Sequence, residues 1–312
     1  MRIGLRSKLR VGTLIILLAL AVGTKESVGQ NVGGTPVPAT PALDSSWPSV
    51  NLNVLVLDKE GVPEKVDEGE FRLLEDRTER PLQVLGSPDS PVSLVLMIDS
   101  SGSVFKRKDA IITAVKTIVK GLPDGSEVAA ILFNEKAYLD LPFTPVSKVD
   151  FSFLDRFRAV GPTALYDAVV ATEDHVIAHA KFERRALVIL SDGEDNASHV
   201  SIGLAYGKME QSGAPMVYLC PVSEANVFQS QKMVGLINMR FLAKRSGGPE
   251  FSLDPDPLSA ATRIADAIRN QYVLQFTATN TARDGKARKI AVRLSVKQVN
   301  IYALPAYFAP AK

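Results

Sequence analysis

The stretch Leu94-Val-Leu-Met-Ile-Asp-Ser-Ser-Gly-Ser103 passes from uninterrupted apolar residues into one acid and a cluster of hydroxyls. Such a run is typical of a strand buried on both faces of a parallel sheet. In open α/β sheets, ligands bind at the carboxyl ends of these strands. The strand is therefore predicted to deliver Asp99, Ser101 and Ser103 to a surface turn, where Gly102 permits a tight backbone path.

Three oxygen-bearing side chains in one turn suit a hard cation. Mg²⁺ prefers near-octahedral oxygen ligation and uses one or two carboxylates, with waters or a ligand filling the remaining positions. One Asp and two Ser cannot complete that shell, and two other segments offer further oxygens. Thr163 lies in the turn Gly161-Pro-Thr-Ala-Leu165 before a helical pattern, and Asp192 ends a second buried run, Ala186-Leu-Val-Ile-Leu-Ser-Asp-Gly193.

Together, the Asp99-x-Ser101-x-Ser103 motif, Thr163 and Asp192-Gly193 resemble the metal-ion-dependent adhesion site of the von Willebrand factor A domain family. The resemblance implies an α/β fold with a doubly wound, mostly parallel, Rossmann-like sheet. It implies that Asp99, Ser101 and Ser103 hold Mg²⁺, with Mn²⁺ or Ca²⁺ as alternatives. It further implies that Thr163 and Asp192 contact the ion directly or through water. It also implies a protein partner whose Asp or Glu completes the metal shell. On its own, Asp or Ser after a strand is also a common turn or helix-capping residue.

The composition of the chain limits the classes of partner. The 312 residues are 46% hydrophobic and 22% charged, which is ordinary for a globular protein. Lys and Arg number 36 against 34 Asp and Glu, for a formal net charge of +2. Such a balance gives no broad basic field to attract nucleic acid, so a nucleic-acid partner is not expected.

The first residues have the pattern of a secretory signal. Basic residues in segment 1–10 precede an uncharged, mostly apolar run at 11–22, which is shorter than the ~20 residues that a membrane-spanning helix needs. Residues 1–29 are therefore predicted to be a signal peptide, with an uncleaved anchor as the alternative and the only expected membrane contact. The Gly- and Pro-rich segment 30–48 is predicted to be a flexible spacer. The protein is expected to be exported to the periplasm, the cell envelope or the medium.

Three segments are predicted beyond the spacer. Alternating patterns indicate short strands in an N-terminal β segment at 49–89, and its residues 56–85 resemble a bacterial subfamily of the same family first noted in Acidobacteria. Residues 90–270 are predicted to be the A domain. Residues 271–312 are predicted to form a C-terminal β-hairpin segment, with strands at 272–277 and 289–296.

Within the A domain, helical and strand patterns alternate, which favours a doubly wound sheet. Helices are predicted near 110–119, 164–180, 202–211, 237–245 and 258–269, and a strand is predicted at 250–253 after the fourth helix. The two outer β segments are each too small to bury a core alone. We therefore expect them to pack together as a small accessory β-sandwich, with the A domain inserted between them and its metal face pointing away.

Other reactive residues are interpreted as structural. Cys220 is the only cysteine and lies in an apolar run, so it is expected in the core. His175 and His179 have a spacing that can chelate Zn²⁺, but Val176 stands where a metalloprotease helix carries its Glu. His199 is interpreted as a loop residue. The acidic loop at 194–196 could hold a second cation, although solvated side chains that tune the field of the first are favoured.

No catalytic group accompanies the predicted metal ligands. Catalysis would need a base or nucleophile beside the metal, and a phosphoryl-accepting role for Asp99 would need a second Asp where Ser101 stands. We therefore expect no enzymatic activity. The preferred hypothesis is an exported protein-binding module of adhesion type. A metal-independent structural or assembly protein of the envelope is the alternative, and a metal-dependent hydrolase is a more distant one.

Overall fold

The computed structural model describes residues 35–36, 47–210, 214–222, 230–295 and 298–311, with backbone alone at 35–36, 175–178 and 230–232. The predicted signal peptide, most of the predicted spacer and the side chain of His175 lie outside this description. Among the described residues, no helix combines the length and apolar character needed to span a membrane.

A six-stranded sheet forms the centre of an α/β domain, in the order β1-β8-β7-β6-β9-β10. Strands β7, β6, β9 and β10 run parallel, β8 pairs antiparallel with β7, and the two-residue edge strand β1 pairs antiparallel with β8. The strands are β1 Thr35–Pro36, β6 Ser93–Asp99, β7 Glu127–Phe133, β8 Ala137–Pro145, β9 Arg185–Ser191 and β10 Met216–Pro221. Strand β6 is buried along its whole length, which accounts for the continuous apolar run in its sequence.

In the described parts of the chain, five α-helices cover the two faces of this sheet. They are α1 Lys108–Lys120, α2 Leu165–His179, α3 Ile202–Met209, α4 Ser230–Ser246 and α5 Pro257–Arg269. On one face, Leu94, Leu96 and Ile98 of β6 share a core with α1 and α5. On the other face, Val95 and Met97 share a core with α2, α3 and α4. Because successive strand residues point to opposite faces, the single run at β6 contributes to both layers. The predicted doubly wound α/β fold is confirmed.

The N- and C-terminal segments build two further sheets, in the orders β13-β2-β11-β5 and β14-β12-β3-β4. Their strands are β2 Ser49–Leu57, β3 Arg72–Glu75, β4 Thr78–Arg80, β5 Gln83–Gly86, β11 Tyr272–Thr277, β12 Ala287–Arg293, β13 Asn300–Ala303 and β14 Ala306–Phe308. Strand β11 pairs with β2, placing Tyr272 opposite Val54, and β12 pairs with β3. One hydrophobic cluster joins the two sheets. The accessory sandwich is therefore shared between both ends of the chain, as expected.

Two predicted elements differ from the structure. Strands β11 and β12 do not form the predicted hairpin, because each pairs with N-terminal strands of a different sheet. Alternation in sequence fixes which face of a strand is buried but not its neighbour. The predicted strand at 250–253 is reduced to an isolated parallel bridge between Leu219 and Glu250.

A buried polar junction connects the sandwich to the α/β domain. The guanidinium of Arg184 donates to the carbonyls of Ser90, Ile268 and Arg269, so it caps the end of α5. The side chain of Gln271 accepts from the hydroxyl of Tyr218 at 2.8 Å and donates to Asn53. Arg184 directly precedes β9, and Ser90 lies three residues before β6. The junction thus lies at the amino ends of these strands, opposite to Asp99 and Asp192 at their carboxyl ends.

Candidate metal centre

The first loop of the candidate site begins where β6 ends. Asp99 is the last residue of β6, and Ser101 precedes a 3-10 turn at Gly102–Arg107 that leads into α1. The backbone N–H of Ser101 donates to Oδ1 of Asp99 at 2.9 Å, and the hydroxyl oxygens of Ser101 and Ser103 lie 3.1 Å apart. The turn therefore gathers the three predicted side chains of this motif at one point.

The second loop carries Thr163 and is hydrogen-bonded to the first. The Gly102 N–H donates to the Gly161 carbonyl at 3.0 Å, and the Val160 N–H donates to the Ser100 carbonyl at 2.9 Å. Gly161 has a φ of +83°, a backbone conformation that glycine adopts without steric cost. Buried Thr163 is thus held beside the loop of Asp99 and Ser101.

The third loop follows β9 and is joined to Asp99 by a serine. The hydroxyl of Ser191 donates to Oδ2 of Asp99 at 2.6 Å and accepts from the Gly193 N–H at 3.0 Å. Asp192, also buried, is close enough for its charge to disfavour ionisation of Asp99. The structure therefore brings the loops of all five predicted residues together at the carboxyl ends of β6 and β9.

The carboxyl of Asp99 is fully buried among oxygen-rich groups. Burial raises its pKa from the ordinary value of 3.8 to about 7, although hydrogen bonds from Ser101 and Ser191 oppose the shift and the charge of Asp192 adds to it. None of these groups is basic. A buried carboxylate is costly unless a positive charge compensates it, and a divalent cation would supply that charge.

Sequence reasoning missed several residues that hold the three loops. The hydroxyl of Ser191 was not assigned, and its only sequence signal is its place directly before Asp192. The side chain of Asn196 accepts from the Thr163 N–H at 2.7 Å, and the Thr163 carbonyl accepts from the Asn196 N–H at 2.9 Å. Asp195 accepts from the Tyr166 N–H at 3.0 Å at the start of α2. In the acidic loop, Asp195 and Asn196 thus fix backbone positions.

His179, His199 and Cys220 take the roles expected of them. Nδ1 of His199 lies 2.9 Å from Oδ2 of Asp167 in an exposed loop, and His179 is exposed. Cys220 is buried in β10, and burial raises the pKa of its thiol to about 12. A thiol with so high a pKa is a poor nucleophile and metal ligand at neutral pH.

The donor set fits a hard cation on chemical grounds. Within the described part of the chain, no group of three or more His, Cys, Asp or Glu side chains is placed to hold a metal. The candidate centre instead combines two carboxylates with hydroxyl oxygens. Mg²⁺ and Mn²⁺ accept such ligands and retain positions for water or for an added ligand.

Residues 94–194 match the family model described as the von Willebrand factor type A domain. The match begins within β6 and ends two residues after Asp192, so it contains all five predicted ligands. A search of curated proteins finds no match to the chain.

Several solved structures are similar to parts of the fold. An aerotolerance-related membrane protein of Bacteroides fragilis is 17% identical, with a TM-score of 0.42, over 57% of this chain and 98% of its own. The conserved hypothetical protein BatB of Bacteroides thetaiotaomicron is 15% identical, with a TM-score of 0.44, over 56% and 96%. A von Willebrand factor type A protein of Catenulispora acidiphila is 13% identical, with a TM-score of 0.47, over 86% and 75%. At these values no function is transferred from them.

Proposed function

We propose that the chain is an exported, metal-ion-dependent protein-binding module that captures an acidic side chain of its partner. The observation that carries the proposal is the buried Asp99 carboxyl, which is surrounded by the hydroxyls of Ser101 and Ser191 and the carboxylate of Asp192, with no basic group among its partners. Asp99, Ser101, Ser103, Thr163 and Asp192 would hold the cation, preferably Mg²⁺.

The charge balance of the centre favours an acidic ligand. Two carboxylates, Asp99 and Asp192, would neutralise a divalent cation, and the remaining ligands are neutral hydroxyls. A hard cation that keeps an open or water-filled position takes a further oxygen ligand there, and a bound cation would act as the acceptor for a carboxylate of the partner. We expect such a centre to bind its partner without turnover, since the described hydrogen bonds to Asp99 come from serine hydroxyls and a backbone N–H.

Export is proposed from the N-terminal pattern, in which basic residues precede an apolar run of about a dozen residues. We also propose that the chain belongs to the bacterial subfamily of von Willebrand factor A proteins first noted in Acidobacteria, because residues 56–85 resemble it. The proposed position is the periplasm, the cell envelope or the medium, where a cation-dependent contact between proteins can form at ambient Mg²⁺.

A capture experiment tests the proposal. The protein is immobilised and exposed to envelope extract in Mg²⁺ or in EDTA, beside two variants. Asp99→Ala removes the central ligand. Asp124→Ala is the matched control, because Asp124 is exposed in the turn before β7, at the amino ends of the parallel strands and away from the metal loops. We expect proteins retained by the wild type and Asp124→Ala to be lost in EDTA and in Asp99→Ala. Retention that survives both changes would instead support the metal-independent structural role.

A further inference from the structure

Helix α4 exposes one apolar face. Met233, Val234, Ile237 and Phe241 have between 41% and 56% of their surface exposed. Residues 233, 237 and 241 are spaced by four, so they share one side of the helix, and Val234 borders them. The opposite side carries Met239, Leu242 and Ala243, which are buried against the sheet. Single exposed apolar residues are common, whereas contiguous ones mark interaction sites.

Exposed apolar side chains also occur in the metal loops themselves. Phe105 is 67% exposed and follows Ser103 by two residues, and Val160 is 54% exposed and precedes Thr163 by three. Of the eleven large apolar residues exposed in the described parts of the chain, two lie in these loops and four on α4. The apolar surface is therefore concentrated at the candidate metal centre and on the helix beside it.

Helix α4 is in direct backbone contact with the third metal loop. A Cβ added to Gly235 would clash with the Gly193 carbonyl oxygen, and one added to Gly193 would lie 2.7 Å from the Gly235 carbonyl carbon, so this close approach requires glycine at both positions. Next to this contact, a cavity of about 290 Å³ separates Tyr166 and loop residues 194–196 from Val234 and Asn238 of α4. The amide of Asn238 donates to the hydroxyl of Tyr166 at 2.7 Å across it. The third metal loop and helix α4 therefore adjoin each other, and the cavity lies between them.

The far end of the same face carries a positive charge. Lys244 follows Phe241 by three residues, is exposed, and has no ion pair among the described residues. It lies about 15 Å along the helix axis from Val234, at 1.5 Å per residue. A partner that covers this face would meet a cation at each end, the proposed metal ion and the Lys244 ammonium, with apolar side chains between them.

We propose that the apolar face of α4 is the second half of the partner-binding surface. The occupant is a polypeptide segment that gives one carboxylate to the metal centre, lays large apolar side chains along Val234, Ile237 and Phe241, and presents a second acid to Lys244. This inference rests on the proposed function and specifies the chemistry of the partner. Apolar contacts would supply affinity, and the two charge contacts would fix the direction of the segment.

A peptide selection on the full chain tests the inference. A random peptide library is selected on the wild-type protein in Mg²⁺, and a fluorescent synthetic copy of a recovered peptide is titrated by anisotropy. We expect recovered peptides to combine Asp or Glu with large apolar residues. Ile237→Ser and Phe241→Ser should each weaken binding by roughly tenfold, the usual scale for losing an apolar anchor. Leu204→Ser on α3 is the matched control, since Leu204 is 49% exposed and lies outside the proposed face.

The outcomes separate this inference from the proposed function. Mn²⁺ titration of Ile237→Ser should match the wild type, and thermal melting should show that both serine variants are folded. If Asp99→Ala abolishes peptide binding but Ile237→Ser and Phe241→Ser leave it unchanged, the proposal for α4 would be overturned and the proposed metal centre would not. If the serine variants weaken binding but the peptides still bind the wild type in EDTA, the proposal that α4 and the metal centre form one binding surface would be overturned. A wild type that binds no Mn²⁺ would overturn the proposed function and this inference with it.

Two other occupants of the face would also be detected. Light scattering that finds a wild-type dimer, converted to a monomer by Phe241→Ser, would assign the face to a second copy of the chain. Flotation with anionic lipid vesicles that is lost in the same variant would assign it to a lipid surface. Either result would overturn the proposal.

Discussion

The hydroxyl of Ser191 donates a 2.6 Å hydrogen bond to Oδ2 of Asp99, joining two strand ends that lie 92 residues apart in the chain. The same hydroxyl accepts from the Gly193 N–H. One buried serine therefore sets both the orientation of the Asp99 carboxyl and the start of the loop that carries Asp192.

Replacing Ser191 by alanine should destabilise the protein. The change removes the hydrogen bond to Oδ2 of the buried Asp99 carboxyl and the acceptor of the Gly193 N–H, while the Ser101 N–H still donates to Oδ1 of Asp99. Loss of a buried partner costs about 1–3 kcal/mol. Urea unfolding followed by circular dichroism in EDTA measures this loss without a contribution from bound metal. Ser259→Ala on the exposed side of α5 is the control and should stay within about 0.5 kcal/mol of the wild type. Equal stability of Ser191→Ala and Ser259→Ala would show that the hydrogen bond contributes nothing.

Replacing Gly235 by alanine should disturb the candidate metal centre from outside it. A Cβ at Gly235 meets the Gly193 carbonyl oxygen at 1.8 Å, so α4 or the Asp192 loop must move. We expect lower Mn²⁺ affinity and lower stability. Gly207→Ala in α3 has no neighbour within 4 Å and should be neutral or stabilise by roughly 0.5–1 kcal/mol, the usual advantage of alanine over glycine in a helix. Unchanged Mn²⁺ affinity in Gly235→Ala would refute the coupling.

Glu173 should make the protein less stable as pH rises. Burial raises its pKa well above the ordinary 4.5, and neither carboxyl oxygen has a hydrogen-bond partner. Above pH 4.5 the unfolded chain loses this proton while the folded protein keeps it. The folded state then binds more protons, so the free energy of unfolding falls as pH rises toward the folded pKa.

The variant Glu173→Gln tests this expectation because it keeps the shape of the side chain and removes its titration. Its stability relative to the wild type should increase as pH rises above 4.5, as measured by urea unfolding. Glu135→Gln, at an exposed position, controls for the loss of one acid. A pH-independent difference between Glu173→Gln and the wild type would contradict a buried neutral carboxyl.

Tyr307 and Glu75 should stabilise the sandwich together. The Tyr307 hydroxyl donates to Oε1 of Glu75 at 2.6 Å, and Thr279 and Arg80 donate to Oε2. Burial raises the pKa of Glu75, but these hydrogen bonds outweigh it and hold the pKa below the ordinary 4.5. Tyr307→Phe should cost about 1–3 kcal/mol near neutral pH.

The pH dependence of the Tyr307→Phe effect distinguishes a hydrogen bond from packing. Because the folded pKa of Glu75 is depressed, its contribution is present above pH 4.5 and is lost as pH falls through the folded pKa. The gap between wild type and Tyr307→Phe should therefore narrow in acid. Tyr302→Phe, on the neighbouring strand β13, is the control for loss of a phenol. A gap that stays constant into acid would mean that ring packing, rather than the ionised carboxylate, is responsible.

Sequence patterns predicted the helices and strands that are determined by the residues of a single continuous segment. The apolar run of β6 and the similar run of β9 identified buried strands, and the acid and hydroxyls at their ends identified the loops now seen together. Helix α5 was evident because Ala261, Ile264, Ala265 and Ile268 repeat at helical spacing, and these residues are buried in the structure. The terminal segments were expected to pack together because neither could bury a core alone.

Features that depend on the choice of neighbour could not be predicted. The strands β11 and β12 have hairpin-like patterns, yet their partners are set by the packing of the whole sandwich. The hydroxyl of Ser191 matters only because β9 lies beside β6. Glu173 reads as a polar position on a surface helix and becomes a buried acid only when α2 and α3 pack together. The three-residue strands β4 and β14 are too short to leave a periodic signal.

Calorimetric titration with Mg²⁺ and with Mn²⁺ tests the central claim most directly. Wild type, Asp99→Ala and the control Asp124→Ala are compared after chelator treatment, with circular dichroism to verify that all three are folded. The proposed centre requires one divalent ion bound by the wild type and by Asp124→Ala, and none by Asp99→Ala, whose core strands do not depend on the ion. Equal affinity in the wild type and in folded Asp99→Ala would contradict it.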